Sequence, residues 1–295
     1  MLLSAQTGKT RMKSPFKLQD VPVSDSDVSI YERDGVVCIK NAISIDWIEK
    51  LRVAADWVQQ NPGPYDTDLT TGGKGQFYGG QFLWLRREEF KEFLFSSPIA
   101  AIVARLMASK RVQLFYDFLL TKEPGGSNKT PWHQDRLYYP LKGKGADNIC
   151  STWIALDPVT IDSGAVEYIS GSHKWGHAYV PESFTFDERF DGHDDIKKLP
   201  DIDADRDQYD IKSWDLEPGD IVAHHVLNVH GAPENTADIR RRGHAIRWIS
   251  GEVKFDPRPE TQPILREAVE NGPSPQTANQ VLSGETFPVI NFGDN

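Results

Sequence analysis

The stretch "PWHQD", residues 131–135, holds an imidazole and a carboxylate two positions apart. In an extended strand successive side chains alternate, so His133 and Asp135 project to one face while Trp132 and Gln134 project to the other. Aimed together, they are two metal ligands. By itself the triplet decides little, because about one His-x-Asp is expected by chance in a chain with this much His and Asp. A second one does occur, at His193-Asp194-Asp195. It lies in "FDERFDGHDDIKKLPDIDADRDQYD", an acidic run without sustained periodicity, where no rigid strand would aim both side chains.

A third ligand has to come from another element. "DIVAHHVLNVHG" (220–231) offers His224, His225 and His230. The first two point opposite ways on a strand, and His225 is expected to pack. His230 ends the run beside Gly231, where the strand is expected to give way to a loop and close backbone approach is allowed. It is the better candidate. Two histidines and one aspartate form one face of an octahedron and leave three positions open, the donor set of non-haem iron(II) oxygenases.

Eleven residues beyond His230 stands Arg241. An enzyme using 2-oxoglutarate needs a fixed cation for the distal carboxylate, and a planar guanidinium makes the bidentate pair that suits it. On a strand, Arg241 faces opposite to its neighbours Arg240 and Arg242, so only one of the two sets looks inward.

These residues need strands to hold them. Short β-rich runs follow one another from residue 111: "RVQLFYDFLLTK", "ICSTWIALDPV", "GAVEYISGSH", "KSWDLEPGDIVAHHV" and "HAIRWISGEV". Pro218-Gly219 and Ser163-Gly164 are turn signals between them. Many short strands without intervening helices predict an antiparallel sandwich or barrel, here a jelly roll. Before that point the pattern is helical. After the strand-like "GVVCIKNAI", Ile48, Leu51, Ala55 and Val58 recur at helical spacing, with Ser44 as N-cap and Asn61-Pro62-Gly63 as the stop. Residues 64–82 read as a loop. "REEFKEFLFSSPIAAIVARLMAS" reads as two helices split at Ser96-Ser97-Pro98.

No internal repeat or low-complexity linker divides the 295 residues, which predicts one domain over 1–295. Its parts are a loose arm over 1–25, a mostly helical part over 26–110, a β core over 111–255 and a C-terminal extension over 256–295. Residues 181–215 interrupt the core as a solvated acidic insertion or a lid.

The chain resembles the phytanoyl-CoA dioxygenase family, iron(II)- and 2-oxoglutarate-dependent oxygenases with a double-stranded β-helix core. The resemblance rests on "PWHQD" (131–135), "TWIALDPV" with "SGAVEYISGSHKWG" (152–176), "EPGDIVAHHVLNVHG" (217–231), and Asn235 followed by "RRGHAIRW" (241–248). The earlier "DGVVCIKNAIS" and the helix after it also fit. Position by position, the resemblance implies iron ligands at His133, Asp135 and His230 and a 2-oxoglutarate arginine at Arg241. It implies a tryptophan beside the cosubstrate at Trp153 and a polar contact at Thr130. One departure stands out. Many relatives read His-Gly-Ser where this chain has His230-Gly231-Ala232, so a hydroxyl that could bond the cosubstrate is missing, and Thr130 is the candidate to replace it. Related halogenases lack the carboxylate ligand to admit chloride; Asp135 argues against halogenation here.

The implied reaction consumes 2-oxoglutarate and O₂ at iron(II), releases succinate and CO₂, and hydroxylates an unactivated C–H bond. Tyr138 and Tyr139, just after the ligand strand, are candidates for the substrate side of the pocket. A net charge of -10 argues against a nucleic-acid partner, which needs clustered Lys and Arg. Together with the lack of an obvious basic cluster for CoA phosphates, it favours a small organic metabolite as substrate. No apolar run approaches the length of a membrane helix, and the N-terminal "MLLSAQTGKTRMKSPFK" lacks a signal-peptide core, which predicts a cytoplasmic protein. Cys38 and Cys150 are too few for a disulfide framework or a cysteine zinc site and read as buried apolar side chains. Two rival functions remain. A cupin-like isomerase or lyase would keep the triad but not need Arg241, and a non-catalytic binding protein would need neither.

Overall fold

The computed structural model describes residues 11–70, 75–126, 128–180 and 197–293. In chain order the strands are β1 (Arg11–Lys13), β2 (Val36–Ile39), β3 (Asp66–Asp68), β4 (Phe77–Gln81), β5 (Arg111–Lys122), β6 (Thr130–His133), β7 (Leu141–Lys142), β8 (Ile149–Ala155), β9 (Glu167–Ile169), β10 (Ile211–Lys212), β11 (Ile221–His225), β12 (His230–Ala232), β13 (Arg241–Ile249), β14 (Lys254–Phe255) and β15 (Val289–Asn291). Among the described residues, nine strands make one large sheet in the order β1-β15-β5-β13-β8-β11-β2, with β4 beside β5 and β3 beside β4. A second sheet runs β10-β9-β12-β6, and β14-β7 is a small third.

Helices cover one face of the large sheet. They are α1 (Asp25–Asp34), α2 (Ile45–Gln60), α3 (Glu88–Ser96) and α4 (Ile99–Leu106); α5 (Pro263–Asn271), after the core strands, packs instead in the cluster of Tyr138, Tyr139 and Ile249. The apolar stripe predicted for α2 is the buried one: Ile48, Leu51, Ala55 and Val58 are all fully buried. Ser44 occupies the N-cap position without a side-chain cap bond. α3 and α4 break at Pro98, whose ring cannot continue the first helix but starts the second. Phe90, Phe93 and Ile102 share one core cluster with Ile154, Ile246 and Trp248 of the large sheet.

Three segments differ from their sequence reading. Within 64–82, expected to be a loop, β3 and β4 form a hairpin, and β4 extends the sheet beside β5. The glycines of "FYGGQ" leave no apolar alternation to read, and the hydrogen-bonding edge of β5 supplies the ladder that orders it. In the N-terminal arm, residues 11–13 pair in parallel with β15. The third difference concerns His230, expected at a strand end. It opens β12 instead: the chain leaves the large sheet after His225 and enters the second sheet at His230. The decoy residues His193 and Asp195 lie outside the described residues, as does much of the acidic insertion. Its later part, residues 197–215, lies against the outer face of the second sheet, where Ile202 packs with Ile169 and Val229. There Trp132 Nε1 donates to Asp203 at 2.8 Å, and Arg206 pairs with Glu167.

The second sheet faces the side of the large sheet that the helices leave open. Tyr168 from β9 packs with Trp153, Val222 and Ala245 from β8, β11 and β13. The inner face of β13 carries Arg241, Gly243, Ala245 and Arg247, as strand alternation requires. Cys38 and Cys150 are free thiols, both pushed up by burial, to about 11 and about 12. No helix among the described residues is long and apolar enough to cross a membrane.

Candidate active site

A cavity opens between the two sheets, and His133, Asp135 and His230 lie together on its wall. All three are buried, and one ligand atom from each lies within 4.8 Å of the others. His133 ends β6, and His230 sits directly across from it on β12. Asp135 is not on the strand. Gln134 is still extended, and Asp135 opens a 3₁₀ turn over Asp135–Tyr138. Because the extended geometry lasts through Gln134, the predicted alternation holds: the Gln134 amide turns away to the Leu227 carbonyl and the Tyr179 N–H.

The histidines are oriented by backbone. His133 Nδ1 meets the Pro131 carbonyl at 2.7 Å and His230 Nδ1 meets the Asn228 carbonyl at 3.0 Å. A carbonyl only accepts, so each Nδ1 carries the proton and each Nε2 keeps its lone pair for a metal. Both Nε2 atoms face Asp135 Oδ1, at 3.6 and 4.0 Å. Burial, then the neighbouring His133 and His224, push the His230 imidazole well below its ordinary range, so it stays neutral, as a ligand must. Burial opposes ionising Asp135, but Arg247, then His133 and His224, outweigh it and hold the carboxyl well below the usual carboxylate range. Two imidazoles and one carboxylate on a buried wall fit a divalent iron ion.

Arg241 reaches the same cavity from β13. It is 2% exposed, its Nε has no hydrogen-bond partner, and among the described residues no carboxylate pairs with it. Its neighbours are different. Arg240 pairs with Asp56 and Glu123, and Arg242 with Asp157 and Asp56. Burial lowers Arg241 to about 10. A buried guanidinium without a counterion is costly, which fits a site whose anion arrives as a ligand. The Trp153 ring lies 5.3 Å from it. Gly243 makes room for that ring: a Cβ there would come within 2.0 Å of the indole. Thr130 stands across from Ala232 in the β6–β12 register, and both line the cavity. The structure therefore brings together all eight residues singled out in the sequence, Tyr138 and Tyr139 included. Tyr138 packs edge-on against His133, at 5.7 Å.

Sequence reasoning missed Arg247 and passed over His224 in favour of His230; both also line the cavity. The signal for Arg247 was present, since it shares the face of Arg241 at an even spacing along "RRGHAIRW". His225 turns away from the cavity and packs against His173 with the rings tilted, centroids 5.3 Å apart.

Comparison with known proteins agrees with this geometry. The family model described as phytanoyl-CoA dioxygenase (PhyH) matches residues 31–243. A probable phytanoyl-CoA dioxygenase of Caenorhabditis elegans is 21% identical over 242 residues, covering 76% of this chain and 74% of that protein. The peroxisomal phytanoyl-CoA dioxygenase of Rattus norvegicus is 23% identical over 272 residues, covering 86% and 77%. Among solved structures, the non-haem α-ketoglutarate-dependent carbocyclase SnoK from nogalamycin biosynthesis superposes with a TM-score of 0.72 at 22% identity, over 94% of this chain and 99% of its own. The epimerase SnoN, solved with Fe³⁺, α-ketoglutarate and nogalamycin RO, gives 0.74 at 20% identity, over 90% and 97%. With a family match spanning most of its length and the triad in place, the chain belongs to the phytanoyl-CoA dioxygenase family of iron- and 2-oxoglutarate-dependent oxygenases.

Proposed function

We propose that this protein is an iron(II)- and 2-oxoglutarate-dependent dioxygenase that hydroxylates an unactivated C–H bond of a small organic metabolite, with release of succinate and CO₂. One observation carries the reading. Three buried donors converge on a cavity whose opposite strand presents an arginine with no carboxylate of its own. In this reading the chain is one domain, and its two facing sheets are a double-stranded β-helix.

His133 and His230 offer Nε2 and Asp135 offers Oδ1 to the iron. Arg241 takes the distal carboxylate of 2-oxoglutarate, beside Trp153, and the Thr130 hydroxyl stands in for the one missing at Ala232. Bound there, iron(II), 2-oxoglutarate and O₂ together supply an oxidant able to take a hydrogen atom from carbon. The protein positions the substrate and keeps water away from that oxidant. Leu69, Phe77, Phe118, Val166 and Ile264 supply an apolar wall for this, with Tyr138 on the substrate side. Carbocycle formation and epimerisation, the activities named for SnoK and SnoN, are other outcomes, and product analysis separates them from hydroxylation.

The test is anaerobic titration of the protein with ferrous iron and then 2-oxoglutarate. A visible charge-transfer band is expected. Its absence would favour a triad enzyme that does not use 2-oxoglutarate. A metabolite screen for substrate-dependent succinate release then identifies the substrate.

A further inference from the structure

We propose that Tyr139 and Arg247 are positioning residues that hold the second oxygen of Asp135, so that the carboxylate presents only Oδ1 to the metal. The proposal rests on the iron reading above.

The two oxygens of Asp135 have different surroundings. Oδ1 faces the imidazoles of His133 and His230. Oδ2 accepts a hydrogen bond from the Tyr139 hydroxyl at 2.7 Å and another from Ser151 Oγ at 3.3 Å. Arg247 Nη2 stands 3.7 Å from Oδ2, and His224 Nε2 stands 3.8 Å away. The Tyr139 hydroxyl in turn accepts from Arg247 Nε at 3.1 Å. Its oxygen thus accepts from Arg247 while its proton points at Asp135.

The large sheet builds this holder as a single row. Tyr116, Arg247, Ser151 and His224 are successive cross-strand partners on β5, β13, β8 and β11. Asp135 arrives opposite that row from the end of β6. The Arg247 guanidinium lies 4.9 Å from the Tyr116 ring and 5.5 Å from the Phe118 ring, which fixes the plane of its fork. Tyr139 closes the 3₁₀ turn that Asp135 opens, so the same turn sets ligand and holder.

The consequence concerns coordination number. A carboxylate free to rotate can bind through both oxygens and occupy a fourth position. Then 2-oxoglutarate, which needs two positions, and O₂, which needs one, would compete for two. With Oδ2 tied back, three positions stay open.

The test uses Co(II) as a spectroscopic probe in the full-length protein, where d–d absorption reports coordination number and geometry. Tyr139→Phe, which removes one oxygen, and Arg247→Met are compared with wild type. Both are expected to change the Co(II) d–d spectrum, as the second carboxylate oxygen takes a position otherwise open to solvent, and to weaken 2-oxoglutarate binding about 10-fold. Arg247→Lys keeps the charge without the fork and should fall between. If Arg247→Met fails to fold, Tyr139→Phe still decides. Variants with a lowered melting temperature but a wild-type Co(II) spectrum and wild-type 2-oxoglutarate affinity would overturn the proposal and leave the iron reading standing. A wild-type protein that binds neither Co(II) nor Fe(II) would overturn both.

Discussion

His133 and His230 are direct cross-strand partners between β6 and β12, with their ring centroids 4.2 Å apart. They are 97 residues apart in the chain, and the register of two short strands brings both Nε2 atoms to Asp135. A metal held this way should depend on all three residues and not on His225, which turns away from the cavity. Asp135→Ala and His230→Ala are expected to weaken Fe(II) binding by about 100-fold, measured by anaerobic titration. His225→Ala, whose ring faces away from the cavity, should bind the metal as wild type does.

Arg241 should behave as a residue that costs stability until its ligand arrives. Arg241→Met is expected to stabilise the ligand-free protein by about 1–4 kcal/mol, the range found when buried charges are replaced by apolar groups. It should also weaken 2-oxoglutarate binding by roughly 3 kcal/mol, or about 100-fold. Thermal melts with and without 2-oxoglutarate read both effects. Arg240→Gln, already paired at the surface, should change neither. If Arg240→Gln weakened 2-oxoglutarate binding instead, the strand facing argued for Arg241 would be wrong.

Gly243→Ala tests the seat of Trp153. The new Cβ would meet the indole at 2.0 Å, so the ring or the strand must shift, at about 1–3 kcal/mol. Urea unfolding should show that loss, and 2-oxoglutarate affinity should fall with it because Trp153 lies beside Arg241.

His225 predicts an acid dependence of folding. Burial first, then His173 and His224, lower it from 6.5 to about 4 in the folded protein. The unfolded chain therefore takes up more protons between those values. The contribution of His225 is fully present above about pH 6.5 and is lost as pH falls toward 4, at up to about 2–3 kcal/mol. Urea midpoints of the metal-free protein at pH 7 and pH 5 should differ in that direction. His225→Gln should flatten the slope, and an unchanged slope would show that this side chain charges freely in the fold.

The sequence alone determined the local facts. The apolar stripe of α2, the break at Pro98 and β5 at its observed limits all follow from periodicity and backbone chemistry that a window of a dozen residues contains. The same local logic gave the shared facing of His133 and Asp135 and set Arg241 opposite to Arg240 and Arg242, though not which of the two sets turns inward. Tertiary structure decided what no window contains. That β4 is a strand depends on the open edge of β5, and that His230 begins a strand depends on β6 being there to receive it. The division of labour between the two oxygens of Asp135 was also invisible in sequence. It arises because Arg247 and Ser151, neighbours across two strands but 96 residues apart in the chain, meet a carboxylate carried in from the opposite sheet.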